Sequence, residues 1–122
     1  MSNPADDELL YFAALAHGDK TLTNSGATWT RIIGYNDDLG CSVSVIWNPL
    51  LYPADAFDLL TRLQMDISYR SLNVDVTRGN ICASEYLPTY ERKIGRAECR
   101  AITRVAARIG KSLGGSNNES TY

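Results

Sequence analysis

The sequence has little of what catalytic and metal-binding sites usually require. It has one histidine, His17, and three cysteines, Cys41, Cys82 and Cys99, which lie far apart without a C-x-x-C pair. That spacing disfavours both a zinc site and a disulfide framework, so we expect three reduced and mostly buried thiols. The sequence also lacks a glycine-rich phosphate loop and an H-E-x-x-H motif. We therefore expect a protein that is not an enzyme and that binds no cofactor and no metal.

Long apolar runs are missing as well. None approaches the ~20 residues of a membrane-spanning helix, and the acidic start MSNPADDELL is unlike the basic start of a secretory signal. We expect a cytoplasmic protein that does not contact a membrane. The 122 residues suit a single domain. The last nine residues, GGSNNESTY, have no periodicity, so we predict a domain over residues 1–113 and a disordered tail over residues 114–122.

Periodicity and turn residues predict an α+β fold. Pro4 and Pro53 each suit the first position of a helix, and Thr89 to Leu113 has the apolar spacing of a third helix. After a polar connection, TWTRIIGY and CSVSVIW should pair as a hairpin, and ISYR, NVDVTR and ICASEYL alternate like strands. The predicted order is αββα-ββ(β)-α, with three helices packed on a four- to five-stranded antiparallel or mixed sheet.

Charge is unevenly distributed along the chain. Residues 1–88 hold eleven acidic against five basic residues, whereas residues 89–113 hold seven basic against two acidic ones. Five arginines recur every four residues in the last predicted helix: Arg92, Arg96, Arg100, Arg104 and Arg108. They form either a solvated face or a surface for phosphates and carboxylates. The acidic remainder disfavours duplex DNA as a partner, and it could face the arginines of a second copy in a homo-oligomer.

Two of these arginines are placed where local electrostatics disfavours them. Arg92 and Arg96 lie near the positive end of the helix, where a carboxylate would be stabilised and a cation is not. A residue that conflicts with its local environment is a better candidate for function than one that agrees with it. We therefore predict that Arg92 and Arg96, together with Tyr90, contribute to a binding site.

Glu98 is the anomaly of the same helix, because it falls within the apolar stripe. A buried carboxylate without a partner is costly, so Glu98 should meet a cation, a hydrogen-bond donor or a pocket opening. The candidate partners are Arg62, Arg70 and Arg78, between which the sequence does not decide.

The stretch VIWNPLLYPADAF joins a predicted strand to the second helix. By strand alternation Trp47 should point into the core, while Asn48 turns the chain. The alternative is a ligand or partner pocket at this corner, with Trp47 or Tyr52 as a stacking surface and the helix N-terminus as an anion site. The candidate binding residues are therefore Trp47, Asn48, Tyr52, Tyr90, Arg92 and Arg96.

Two segments, WNPLLYPADAFDLLTRLQMDI and ECRAITRVAARIGK, resemble small proteins of tailed phages and prophages. These are the NinX-like family and its relatives, described as a phage α-β-α sandwich domain. The resemblance covers roughly residues 8–112 and is carried mainly by Trp47-Asn48-Pro49, Asp55-Ala56 and the segment from Arg100 to Gly110. Residues 52–54 read Tyr-Pro-Ala where that family often has two acids and a glycine, so a role of those acids does not transfer.

The resemblance implies a phage or prophage origin, and no biochemical activity attaches to that family as a whole. Because small phage proteins without catalytic residues usually act by binding, we expect an accessory protein that acts by binding in the bacterial host cell, in the manner of counter-defence. Two modes stay open: an inhibitor of a host defence protein, and a sponge that holds a nucleotide-derived immune signal through arginine and aromatic groups. The alternatives are a small nucleic-acid-binding regulator that uses the arginine helix and a small enzyme of unknown reaction. His17, at the end of the first predicted helix, is expected to be a surface or capping group and not a catalytic base.

Overall fold

The computed structural model describes residues 4–25, 28–87 and 95–120, and it has the α+β architecture that the sequence predicts. Within these ranges the chain forms three helices and six strands in the order αβββαβββα. The elements are α1 (Pro4–His17), β1 (Leu22–Ser25), β2 (Thr28–Asn36), β3 (Cys41–Trp47), α2 (Pro53–Arg62), β4 (Asp66–Tyr69), β5 (Asn73–Arg78), β6 (Ile81–Tyr86) and α3 (Arg96–Ser120).

The strands form two sheets, and the predicted single sheet of four to five strands is wrong. Sheet A has the order β1-β2-β3 and sheet B the order β4-β5-β6, with every neighbouring pair antiparallel. The additional strand is β1, which lies in the segment that we expected to be a polar connection. Three of its four residues are polar, so no apolar alternation marks it. Its pairing with β2, from Leu22 opposite Arg31 to Ser25 opposite Thr28, makes it a strand.

Sheet B is covered on one face by α3. Val74 and Val76 of β5 are fully buried there, and the apolar stripe of α3 packs on β5 and β6. The buried members of that stripe are Cys99, Ala101, Ile102, Val105 and Ala106. The opposite face of sheet B is polar, since Asp75 accepts hydrogen bonds there from Ser84 at 2.6 Å and Arg70 at 2.7 Å. Sheet B thus has one apolar and one polar face, as antiparallel sheets commonly do.

The first and last helices lie side by side and run in the same direction. Asp6 meets Arg100 near the start of both helices, and Phe12 meets Gly110 farther along. A Cβ atom added to Gly110 would lie 1.8 Å from the carbonyl oxygen of Phe12, so the two backbones are in direct contact. Only glycine leaves room for so close an approach.

Helix α3 differs from its predicted bounds. It begins at Arg96 and not at Thr89, and residues 88–94 lie outside the described part of the chain. It continues past Gly114 and Gly115 to Ser120, so the predicted division between a domain and a tail at residue 113 falls within it and stays a prediction. No helix of the described residues is both long and apolar enough to cross a membrane.

Candidate functional site

The corner between β3 and α2 is built around a buried tryptophan. Trp47 is 1% exposed and contacts the rings of Trp29 and His17 edge to face, at centroid distances of 6.4 and 5.8 Å. Of the two interpretations of this tryptophan, its position matches packing, because a stacking surface for a ligand has to be accessible. Trp47 thus packs β3 against β2 and against the end of α1.

Asn48 and its neighbours form a hydrogen-bonded turn. The Asn48 side-chain oxygen accepts from the backbone N–H groups of Leu50 at 3.0 Å and Leu51 at 3.3 Å. The Asn48 backbone N–H donates to Asp55 Oδ2 at 2.9 Å, which connects the turn to the first turn of α2. Asn48 therefore turns the chain, as the sequence indicates. Tyr52, by contrast, leaves its ring exposed at the start of α2.

The remaining candidate residues are Arg96, Tyr90 and Arg92. Arg96 is exposed at the first position of α3, while Tyr90 and Arg92 lie outside the described residues. Gly95 brings this helix start close to that of α2, because a Cβ on Gly95 would lie 3.1 Å from Cγ of Pro53. Tyr52 and Arg96 thus lie at the starts of two neighbouring helices, and their role in binding stays a prediction.

The last three arginines of α3 contact groups of their own chain. Arg100 pairs with Asp6 at 3.4 Å and Arg104 with Glu85. Arg104 also donates to the Ser84 carbonyl at 3.3 Å, and Arg108 donates to the Cys82 carbonyl at 3.1 Å. Since Cys82 and Ser84 are alternate residues of β6, these two arginines bind main-chain oxygens along the edge of sheet B. These three arginines therefore have a structural use.

A surface cleft of about 390 Å³ lies beside these arginines and is lined by residues of both charge signs. Its lining residues are Glu8, Leu9, Glu85, Arg100 and Arg104. Because two carboxylates face two guanidinium groups, the cleft has no strong preference for an anion.

Glu98 has a partner of a different kind from the one expected. It is half-buried and accepts a hydrogen bond from the Tyr69 hydroxyl at 2.9 Å. The three candidate arginines bind elsewhere: Arg62 at the His17 carbonyl, Arg70 at Asp75 and Arg78 at the Leu63 carbonyl. Partial burial, together with the bond to Glu98, raises the pKa of Tyr69 above its ordinary value. Glu98 is thus satisfied within the fold.

His17 is buried, and the expectation of a surface or capping group is wrong. The residue is 3% exposed, and its Nε2 atom lies 2.9 Å from Asp58 Oδ2. Asp58 is also 3.7 Å from the guanidinium group of Arg31 on β2. Sequence periodicity could not predict this pair, because His17 and Asp58 are 41 residues apart in sequence. The pair links α1, α2 and sheet A across the core.

The three thiols differ sharply in exposure, so the expectation that they are mostly buried is correct for one of them. Cys41 and Cys82 are exposed, Cys99 is buried, and all three are free. Burial, together with the nearby Glu98, raises the pKa of the Cys99 thiol to about 11. Since the thiolate is the reactive form, Cys99 is inert at neutral pH.

We predict that a thiol reagent such as iodoacetamide modifies Cys41 and Cys82 in the native protein at pH 8 and leaves Cys99 unmodified. Peptide mass spectrometry before and after denaturation measures this, because unfolding should expose Cys99. Modification of Cys99 at the rate of Cys82 in the native protein would contradict the burial of its helix face.

An exposed hairpin is the most distinctive surface of the described chain. We call β2, β3 and their turn, residues 28–47, the arm. Strand alternation and register place Trp29, Arg31 and Trp47 on its inner face, toward the core. The outer face carries Ile32, Tyr35 and Ile46, whose exposed fractions are 41%, 62% and 55%. Thr30, Ser42 and Ser44 lie on the same face, which therefore exposes large apolar side chains between small polar ones.

Apolar exposure continues around the arm. Val43 and Val45 are exposed on the inner face beyond the core, Ile33 at the β2 bulge, and Leu39 in the turn. Six of the seven residues of β3 are exposed, and only Trp47 is buried. An antiparallel sheet normally has one buried apolar face and one polar face. The arm therefore has exposed apolar side chains on both of its faces, and the described residues do not cover them.

The described residues contain no group of three or more His, Cys, Asp or Glu side chains that could hold a metal ion. No family model, no curated protein and no solved structure matches the chain. The resemblance to NinX-like phage proteins therefore stays a prediction from the sequence.

Proposed function

We propose that this chain is a binding protein that acts on another protein through the outer face of the arm. The observation that carries the proposal is the exposure of Ile32, Tyr35 and Ile46 on one face of the hairpin, where Ile32 is next to Tyr35 along β2 and diagonal to Ile46 of β3. Contiguous exposed apolar patches on a soluble protein mark interaction sites, whereas scattered apolar residues do not.

The size of the surface supports a protein partner. Together with Ile33, the outer face exposes on the order of several hundred Å² of side-chain surface, as functional patches do. A standard protein interface covers about 800 Å² on each partner, with apolar and tyrosine side chains at its centre. A small molecule would instead require a concave pocket, and the outer face is the surface of a sheet.

The arginines favour the protein-binding mode over the nucleotide sponge. A sponge would need guanidinium groups free to bind phosphates, and Arg100, Arg104 and Arg108 already bind carboxylates or carbonyls of this chain. Arg96 is the exception among the described arginines of α3, since its side chain has no ion pair or hydrogen bond with the described residues. The biological role that we propose is that of an accessory protein, which blocks a host defence protein in the bacterial cytoplasm.

A comparison of variants in an affinity capture experiment tests the proposal. The variant Ile32→Thr/Ile46→Thr keeps β-branched residues in both strands but removes apolar area from the outer face. Leu72→Thr is the matched control, because Leu72 is also exposed but lies outside the arm. Tagged proteins are incubated with bacterial lysate, and the retained proteins are quantified by mass spectrometry.

We expect one protein to be retained by the wild type and by Leu72→Thr and to be lost from the double variant. With that protein purified, calorimetry should show at least about a tenfold rise in Kd for the double variant, since each buried isoleucine contributes ~1.5–3 kcal/mol. Equal retention by all three proteins would contradict the proposal. A rise in Tm with cyclic nucleotides or cyclic ADP-ribose isomers, unchanged in the double variant, would favour the sponge.

A further inference from the structure

The free edge of sheet A leads to a separate inference, which does not depend on the function proposed for its outer face. β3 is an end strand, and among the described strands it pairs with β2 alone. One side of its backbone therefore presents unpaired N–H and C=O groups, which can pair with another strand. Proteins usually block such edges with short strands, charged residues, proline, bulges or covering side chains.

The other three sheet edges are protected in these ways. β1 and β4 are only four residues long, and β4 carries the exposed Asp66. β6 is covered by α3, whose Arg104 and Arg108 bind the carbonyls of Ser84 and Cys82. These edges therefore offer little room for an added strand.

β3 has none of these devices. Its seven residues, CSVSVIW, include no charge, no proline and no glycine, and the bulge of the hairpin lies on β2. Seven residues exceed the usual strand length of about five to six. Of the four edges, β3 is thus the long, uncharged and unprotected one.

Two valines of β3 flank Ser44 symmetrically. Val43 and Val45 lie on either side of it at equal distances, on the inner face, and both are exposed. If two copies pair antiparallel with Ser44 opposite Ser44 of the second copy, each Val43 meets the other copy's Val45. Cross-strand pairs of β-branched residues stabilise a sheet, and no like charges meet in this register.

We propose that β3 pairs with β3 of a second copy of this chain, with the two-fold axis at Ser44, to form a continuous six-stranded sheet. Main-chain hydrogen bonds close both free edges, and the four valines around the axis cover one another. The pairing also places the Cys41 end of each strand beside the Trp47 end of the other. The two outer faces then join into one surface of twice the area.

Opposite charges at Ser44 test this register directly. Ser44 is exposed, so Ser44→Lys and Ser44→Glu should fold like the wild type, which circular dichroism and Tm verify. Each variant sets like charges opposite each other at the axis, whereas a mixture of the two variants sets opposite charges there. Ser68→Lys is the matched control, since Ser68 is an exposed serine in the edge strand β4.

By sedimentation equilibrium, we expect the wild type and Ser68→Lys to be dimers. Each Ser44 variant alone should dissociate with a Kd raised at least about tenfold, and their equimolar mixture should recover the dimer. A monomeric wild type, dimeric Ser44 variants or a mixture that stays monomeric would each overturn the inference. If Ile32→Thr/Ile46→Thr no longer captured the partner protein but remained a dimer, the result would support the function proposed for the outer face and leave the pairing of β3 standing.

Disulfide formation gives a second measurement of the same register. Directly opposed residues of antiparallel strands have Cα atoms about 4.5–5.5 Å apart, within the range that a disulfide spans. Under mild oxidation, Ser44→Cys should become a covalent dimer faster than the wild type, whose exposed Cys41 and Cys82 provide the background. Equal rates for Ser44→Cys, Ser68→Cys and the wild type would contradict the proposed axis.

Discussion

Replacement of Gly110 by alanine is expected to lower the free energy of unfolding by about 3 kcal/mol. In an exposed helix the same change would raise stability by ~1 kcal/mol, because alanine has the higher helix propensity. At Gly110, however, the new Cβ would lie 1.8 Å from the Phe12 carbonyl oxygen and 2.7 Å from its carbon. These are backbone atoms, which cannot rotate away, so α1 and α3 must separate. Urea unfolding followed by circular dichroism measures the change.

Gly34→Ala is the control for this prediction. Gly34 lies on β2 with no atom within 4 Å of the position of an added Cβ. We therefore expect Gly34→Ala to leave the urea midpoint nearly unchanged. A Gly110→Ala protein that is as stable as the wild type would contradict the close contact between α1 and α3.

Truncation of Trp47 to alanine should lower the free energy of unfolding by ~3–5 kcal/mol. Trp47 is almost fully buried and packs against Trp29 and His17, so its removal leaves a cavity between sheet A and α1. The loss of ring contacts should also reduce the near-ultraviolet circular dichroism signal. Urea unfolding measures the change in stability.

Tyr52→Ala is the matched control for Trp47→Ala, because Tyr52 is an exposed aromatic residue of the same corner. Its truncation should change the free energy of unfolding by less than about 0.5 kcal/mol, as exposed substitutions usually do. If Trp47→Ala unfolded at the same urea concentration as Tyr52→Ala, the packing interpretation of Trp47 would be wrong.

Elements with strong local signals could be predicted from the sequence. Pro4 and Pro53 mark the starts of α1 and α2, and both helices begin there. The strands TWTRIIGY and CSVSVIW pair as expected, and Gly79 lies between NVDVTR and ICASEYL, which both form strands, with a φ of +62°. In each case the information lies within a few residues: a fixed φ angle, a period or a residue that tolerates a left-handed conformation.

Features that depend on distant residues could not be predicted. β1 has a polar sequence and becomes a strand only through β2, and the division into two sheets depends on which strands meet. Arg104 and Arg108 each donate to a main-chain carbonyl, and such acceptors leave no trace in a residue pattern. The exposed outer face is a further case, since Ile32 and Ile46 read as ordinary strand residues until burial is known.

The contact between α1 and α3 also constrains how the protein can be made. Synthesis proceeds from the N-terminus, so α1 leaves the ribosome first, while the helix that covers it is the last element of the described fold. Gly110 meets Phe12 only after both sheets have been synthesised. During this interval the side of α1 that packs on α3 has no partner, and such exposed surfaces are where nascent chains need chaperones. The parallel pairing of the two helices therefore delays the docking of α1 on α3 until α3 has been synthesised.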